Sequence, residues 1–107
     1  MIHARKVLPE YFEALQTGAK TYELRREEPG EATFEIGDYL ALNEYVPAKH
    51  ADEAAKYSGR CLFYEITHVL RGSELLAEGV VALGLRKKPL CWDDVKAMKA
   101  AGSFEVK

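Results

Sequence analysis

Cysteine, methionine, tryptophan and histidine are all scarce in this chain: two, two, one and three residues among 107. Cys61 and Cys91 lie far apart and form no CxxC pair, and His3, His50 and His68 are scattered, so no structural zinc site has usable ligand spacing. The expectation is no metal, no cofactor and two free, buried thiols in a reducing compartment. There is no signal peptide and no apolar run near the length of a membrane span, which predicts a cytoplasmic protein with no membrane partner. A strong positive excess is also missing. The formal net charge is −2, and proteins that wrap duplex DNA carry the opposite sign in abundance. Any nucleic-acid role must rest on a local basic patch, which suits a short single strand or a lone nucleotide.

What is present is the composition of an ordinary globular domain, 48% hydrophobic and 30% charged. At this length a chain makes one domain that buries roughly two-thirds of the surface it exposes when unfolded, enough to fold without a metal or disulfide.

Residues 2–7 read as a lead-in strand. Pro9 suits the first position of a helix, Glu10 complements its dipole, Tyr11, Phe12 and Leu15 share a face, and Gly18 supplies a left-handed stop, so a helix is predicted over 9–17. From Lys20 to Arg26 the pattern alternates, predicting a strand with Tyr22 and Leu24 buried and Thr21, Glu23 and Arg25 on the polar face. A turn at 27–32 follows, then Phe34 and Ile36 before the Gly37-Asp38 turn, and a strand at 39–46. Residues 47–59 read as a long polar loop, 60–70 as the longest strand, 73–78 as a turn and 79–85 as an apolar, central strand. Beyond Pro89, the spacing of Trp92, Val95 and Met98 predicts a last helix begun near Asp93 and stopped by Gly102. Residues 1–88 thus form the main unit, and 89–107 a helical extension packed on it. The element order predicts an α+β fold built on a small, mostly antiparallel sheet or barrel, because a doubly wound fold needs a helix between successive parallel strands.

The segment Lys20-Thr21-Tyr22-Glu23-Leu24-Arg25 is the most informative. A carboxylate and a guanidinium two residues apart on one strand face can neutralise each other as a surface ion pair, or offer a nucleobase edge an acceptor beside a planar donor fork. His68 reads as a core or rim residue of an apolar strand face, His50 as solvated, and His3 has the better claim to reach a cleft. Tyr39, Tyr45 and Tyr57 are candidates for stacking on bases or for packing. Arg60, Arg71 and Arg86–Lys88 are candidates for a basic rim.

His3, Lys6-Val-Leu-Pro-Glu-Tyr-Phe12, Gly18-x-Lys20-Thr-Tyr-Glu23-Leu-Arg25, Phe34-x-x-Gly37-Asp38-x-Leu40-x-Leu42 and Ile66-Thr-His-Val-Leu70 occur in that order. This series resembles the ASCH domain (activating signal cointegrator homology) of the PUA-like superfamily, in its short bacterial and phage branch, up to about Leu85. The resemblance implies a compact PUA-like β-barrel with a helix beside it and a cleft between them, lined by Lys20, Glu23 and Arg25. It implies RNA binding for most members and enzymatic activity for a few, as ribonucleases or a hydrolase of N4-acetylcytidine. The hydrolases use a Lys, a Thr three residues on and a Glu from a later insert. Lys20 matches the first, but Glu23 stands at the Thr position and the insert is absent.

The resulting expectation is a module that holds single-stranded RNA or a nucleotide through Lys20, Thr21, Glu23, Arg25, Tyr45 and Arg60. Lys20 and Arg25 are assigned to phosphate or carbonyl groups and Glu23 to base amino groups. Two alternatives stay open. One is an enzyme acting on RNA or a modified nucleoside, with Lys20 and Glu23 as acid–base partners. The other is an adaptor, or a homodimer, working through the C-terminal helix.

Overall fold

Leu8-Pro9 turns the chain out of its first strand and into a helix, as the sequence predicts. In the computed structural model, which describes residues 1–106, strand β1 (Ile2–Val7) is followed by helix α1 (Pro9–Thr17), with proline in its first turn and Gly18 closing it at φ 84°. Phe12 and Leu15 are buried, whereas Tyr11 turns out to be half exposed at the edge of the helix. Then come β2 (Tyr22–Arg26), β3 (Tyr39–Val46), β4 (Lys56–Leu70), β5 (Val80–Lys87), α2 (Trp92–Ala100) and β6 (Phe104–Val106).

The strands form one mixed sheet in the order β2-β5-β4-β3-β1-β6. Three of the five pairings are antiparallel, as expected, but the sheet departs from the expected barrel in two respects. β1 runs parallel to both of its neighbours, β3 and β6, since the long stretch holding α1 and β2 provides the crossover that a parallel pair needs. The strand order also has two open ends, β2 and β6. The sheet nevertheless curls: Arg25 Nη2 on β2 donates to the Lys6 carbonyl on β1 at 2.9 Å, although the two strands are not paired. Val7, Phe12, Leu15, Phe34, Leu40, Leu42, Tyr64, Ile66, Val81 and Leu83 form the core beneath α1.

Three further differences have local causes. The polar loop is shorter than expected, because β4 begins at Lys56 and pairs with β3 through Val46–Lys56 and Tyr45–Tyr57. His68, read as a core or rim residue, is exposed. A bulge between Ile66 and His68 absorbs one residue, so that Val69 returns to the core instead. Both cysteines are exposed, contrary to the expected buried thiols. Among the described residues no helix is long and apolar enough to cross a membrane.

The extension is a helix plus a strand, and the strand was not foreseen. Val95 packs with Ile2, Ala4 and Ala41, while Trp92 is 64% exposed. β6 adds to β1 and brings Glu105 to a buried charged cluster. Glu105 Oε1 accepts from Arg5 at 2.8 Å and lies 3.4 Å from His3 Nδ1, and its Oε2 accepts from the Ala32 N–H at 2.8 Å. His3 is fully buried, with Nε2 2.8 Å from Asp38 Oδ2 and its ring against Phe34. It sits among these groups and not in a cleft. Burial works to raise the Glu105 pKa, but the hydrogen bonds from Ala32, Arg5 and His3 outweigh it and hold it at about 2.

A carboxylate whose pKa is depressed on folding stabilises the protein above its unfolded pKa, and that contribution is lost as the pH falls through the folded value. The expected outcome is that Glu105→Gln lowers unfolding free energy by about 1.5–3 kcal/mol at neutral pH. The gap to wild type should narrow as the pH falls from about 5 towards 2. Denaturant titrations across that range check it, and a gap independent of pH would contradict it.

Candidate functional site

Strand β2 buries its charged face. Glu23 is 4% exposed, whereas Tyr22 and Leu24 are each 51% exposed, the reverse of the alternation expected from hydrophobicity. The register explains the choice: Glu23 lies opposite Leu83 of the core, and Tyr22 and Leu24 lie opposite Gly84 and Ala82 on the other face. A lone buried carboxylate would cost several kcal/mol, but this one is neutralised on both oxygens. Lys20 Nζ donates to Oε1, and Arg25 donates to Oε2 from Nε at 2.9 Å and from Nη2 at 2.8 Å.

Beside this triad runs a cleft of about 480 Å³ lined by Lys6, Val7, Leu8, Tyr11, Lys20, Tyr22, Glu23, Leu24 and Arg25. It lies between the end of β1, the start of α1 and the free edge of β2, at the seam that Arg25 bridges. Lys20 Nζ sits 4.7 Å from the centre of the Tyr11 ring and 5.3 Å from that of Tyr22, within reach of favourable cation–π attraction. Lys6 Nζ lies 4.6 Å from the Tyr45 ring centre. Among the described residues Lys6 is the one lysine or arginine of the cleft with no carboxylate partner. Three cations and one carboxylate leave the lining with a local excess of positive charge.

The core side of the cleft holds an oddity. The Tyr64 hydroxyl is buried and has no hydrogen-bond partner among the described residues. Its pKa is pushed up, first by burial and then by the negative charge of Glu23.

The chain matches, over residues 2–85, the model of a family described as a domain of unknown function, DUF3850. It belongs to that family. None of the curated proteins matches it. Every residue lining the cleft falls inside the DUF3850 match, whereas α2, β6 and Glu105 fall outside it.

Of the residues singled out from sequence, Lys20, Glu23 and Arg25 come together in the DUF3850 cleft. Thr21 does not line it; its carbonyl accepts from the Leu85 N–H at 3.0 Å and helps hold the strand edge. Tyr45 adjoins the cleft only through Lys6. Arg60 is committed elsewhere: it donates to Glu44 at 2.9 and 2.6 Å and to Glu13 at 2.6 Å, with its guanidinium over Phe12. The hydrogen bonds to Glu44 and Glu13 hold its pKa above the ordinary value. Arg71 and Arg86 are likewise taken up by Glu27 and Glu65, so they build no rim. Sequence reasoning missed Lys6 and Tyr11 as cleft residues. The signal for both was their place in the Lys6-Val-Leu-Pro-Glu-Tyr-Phe12 series, but the spacing of Tyr11 made it part of the buried helical face.

A buried hydroxyl without a partner carries a desolvation penalty that its removal relieves. Tyr64→Phe is therefore expected to leave stability unchanged or to raise it by about 1 kcal/mol, whereas Glu23→Gln, which strips the charge facing Lys20 and Arg25, lowers it by about 1.5–3 kcal/mol. Equilibrium unfolding of both variants checks this; a loss of stability in Tyr64→Phe would show that the hydroxyl is bonded.

Proposed function

We propose that the cleft binds single-stranded RNA or a nucleotide. The observation that carries the reading is the Lys6 ammonium, which has no carboxylate partner among the described residues, in a cleft that also presents the half-exposed rings of Tyr11 and Tyr22. A cation without a carboxylate draws a phosphate, and half-exposed aromatic rings take a base by stacking, which is how single strands are held without duplex geometry. The size is suitable, since small-molecule sites span roughly 300–1,000 Å³. The ordered likeness to ASCH motifs, with their PUA-like fold and RNA-binding members, supports the same reading.

The roles differ from those assigned on sequence alone. Glu23 already accepts from two cations, so its part is to hold Lys20 and Arg25 in place, with the spare lone pair on Oε1 left for a base amino group. Lys6 makes the first phosphate contact, and Lys20, seated between the two tyrosines, makes the second. The same Lys20–Glu23 pair is the one an enzyme of this class would use for proton transfer, so turnover is the outcome that separates the two readings.

Fluorescence anisotropy with a labelled single-stranded RNA tests the proposal. Lys6→Ala and Lys20→Ala are each expected to weaken binding by about fivefold or more, and each lost phosphate contact lowers the slope of log K against log salt by about 0.7. Lys6→Ala is the cleaner variant because it breaks no ion pair. Unchanged affinity in both variants would contradict the proposal. Product detected by mass spectrometry and abolished by Glu23→Gln would make the cleft an active site.

A further inference from the structure

Resting on that reading, we infer that the ligand is a single strand several nucleotides long, which runs out of the cleft across Lys6 and onto the paired rings of Tyr45 and Tyr57. The cleft does not end at its own lining. Lys6 belongs to its wall and at the same time covers the Tyr45 ring at 4.6 Å. Tyr45 in turn meets Tyr57 edge-on, with ring centres 5.4 Å apart. Tyr57 is 53% exposed and borders a second hollow of about 250 Å³ that Ala4, Arg5, Asn43 and Val106 also line. Contacts thus lead from the cleft rings Tyr22 and Tyr11 to Lys6 and on to the rings of Tyr45 and Tyr57.

Rings on both sides of one ammonium follow the order in which a polynucleotide presents base, phosphate and base. A mononucleotide would use only the first half of it. The carboxylates of Glu44 and Glu13, on β3 next to Tyr45 and on α1, are both held by Arg60. The Tyr45–Tyr57 pair is built rather than incidental: the two residues are register partners across β3 and β4, placed there after the irregularity that follows Asn43. Tyr57, the exposed member of this cross-strand pair, offers a stacking surface of the kind that single-strand binders use without sequence preference.

The test compares adenosine monophosphate with oligoadenylates of three and nine residues, on wild type, Tyr57→Ala and Tyr57→Phe. The side chain is half exposed, so both variants are expected to fold, and circular dichroism checks that they do. The expected result is that Tyr57→Ala weakens the nonanucleotide by about fivefold or more, leaves the monophosphate unchanged, and is rescued by Tyr57→Phe. Equal wild-type affinity for all three ligands, with no effect of Tyr57→Ala, would overturn the inference while leaving a nucleotide site in the cleft. Absence of binding at every length would instead sink the cleft reading itself. A polyglutamate of matched charge that binds as tightly and with the same dependence on Tyr57 would show that the path reads charge on a peptide, and would overturn the inference as well.

Discussion

A carboxylate inside a protein must be neutralised or it will not stay there, and much of this molecule is arranged around that requirement at Glu23. The residue points into the curled sheet opposite Leu83, where an unpaired charge would be prohibitive. Lys20 and Arg25 answer it from either side. Because Arg25 also donates to the Lys6 carbonyl, the ion triad ties the free edge of β2 to the end of β1 and fixes the width of the seam. Because Lys20 is drawn to the same carboxylate, its ammonium is seated between Tyr11 and Tyr22. The cleft is thus a consequence of neutralising one buried acid. The charged stretch that looks like a solvated strand face is the part that closes the fold.

β1 is held at its other end by a second charged cluster with a different origin. His3 and Arg5 are buried on β1, and the carboxylate that both share belongs to Glu105 on β6, with Asp38 taking the other ring nitrogen of His3. Residues 2–85 carry the DUF3850 match, so here a strand from outside that match completes the bonding of side chains within it. The strand that supplies Lys6 to the cleft is consequently anchored at both ends, by Arg25 near Lys6 and by Glu105 near its start.

Much of the fold was legible because it follows from local chemistry. Pro9, Glu10 and Gly18 mark α1 to the residue, the short apolar runs between turn signals give β1, β3 and β5, and the cleft strand is singled out through Lys20, Glu23 and Arg25. What escaped depends on partners distant in sequence. Alternation predicts that Tyr22 and Leu24 go inward; only the two cations meeting at Glu23 reverse it. The bulge at Thr67 moves His68 to the surface without any local signature such as a glycine. β6 is three residues long, and its place in the sheet comes from Glu105 meeting His3 and Arg5, a hundred positions or so away in the chain. Arg60 was misplaced for the same reason, since nothing in its neighbourhood of the sequence announces Glu44 and Glu13. The parallel pairing of β1 is a property of the crossover and not of any one strand, and the open ends at β2 and β6 belong to the strand order as a whole.

The most direct test of the central claim, that the seam beside the Glu23 triad is where this protein meets its ligand, is a titration of the isotope-labelled chain with a single-stranded oligoribonucleotide followed by NMR chemical shifts. The account predicts the largest changes at Lys6, Tyr11, Lys20, Tyr22 and Arg25, with the Lys20 and Arg25 side-chain resonances moving together because Glu23 couples them. Changes confined to the exposed face around Trp92 on α2, with the seam silent, would contradict it.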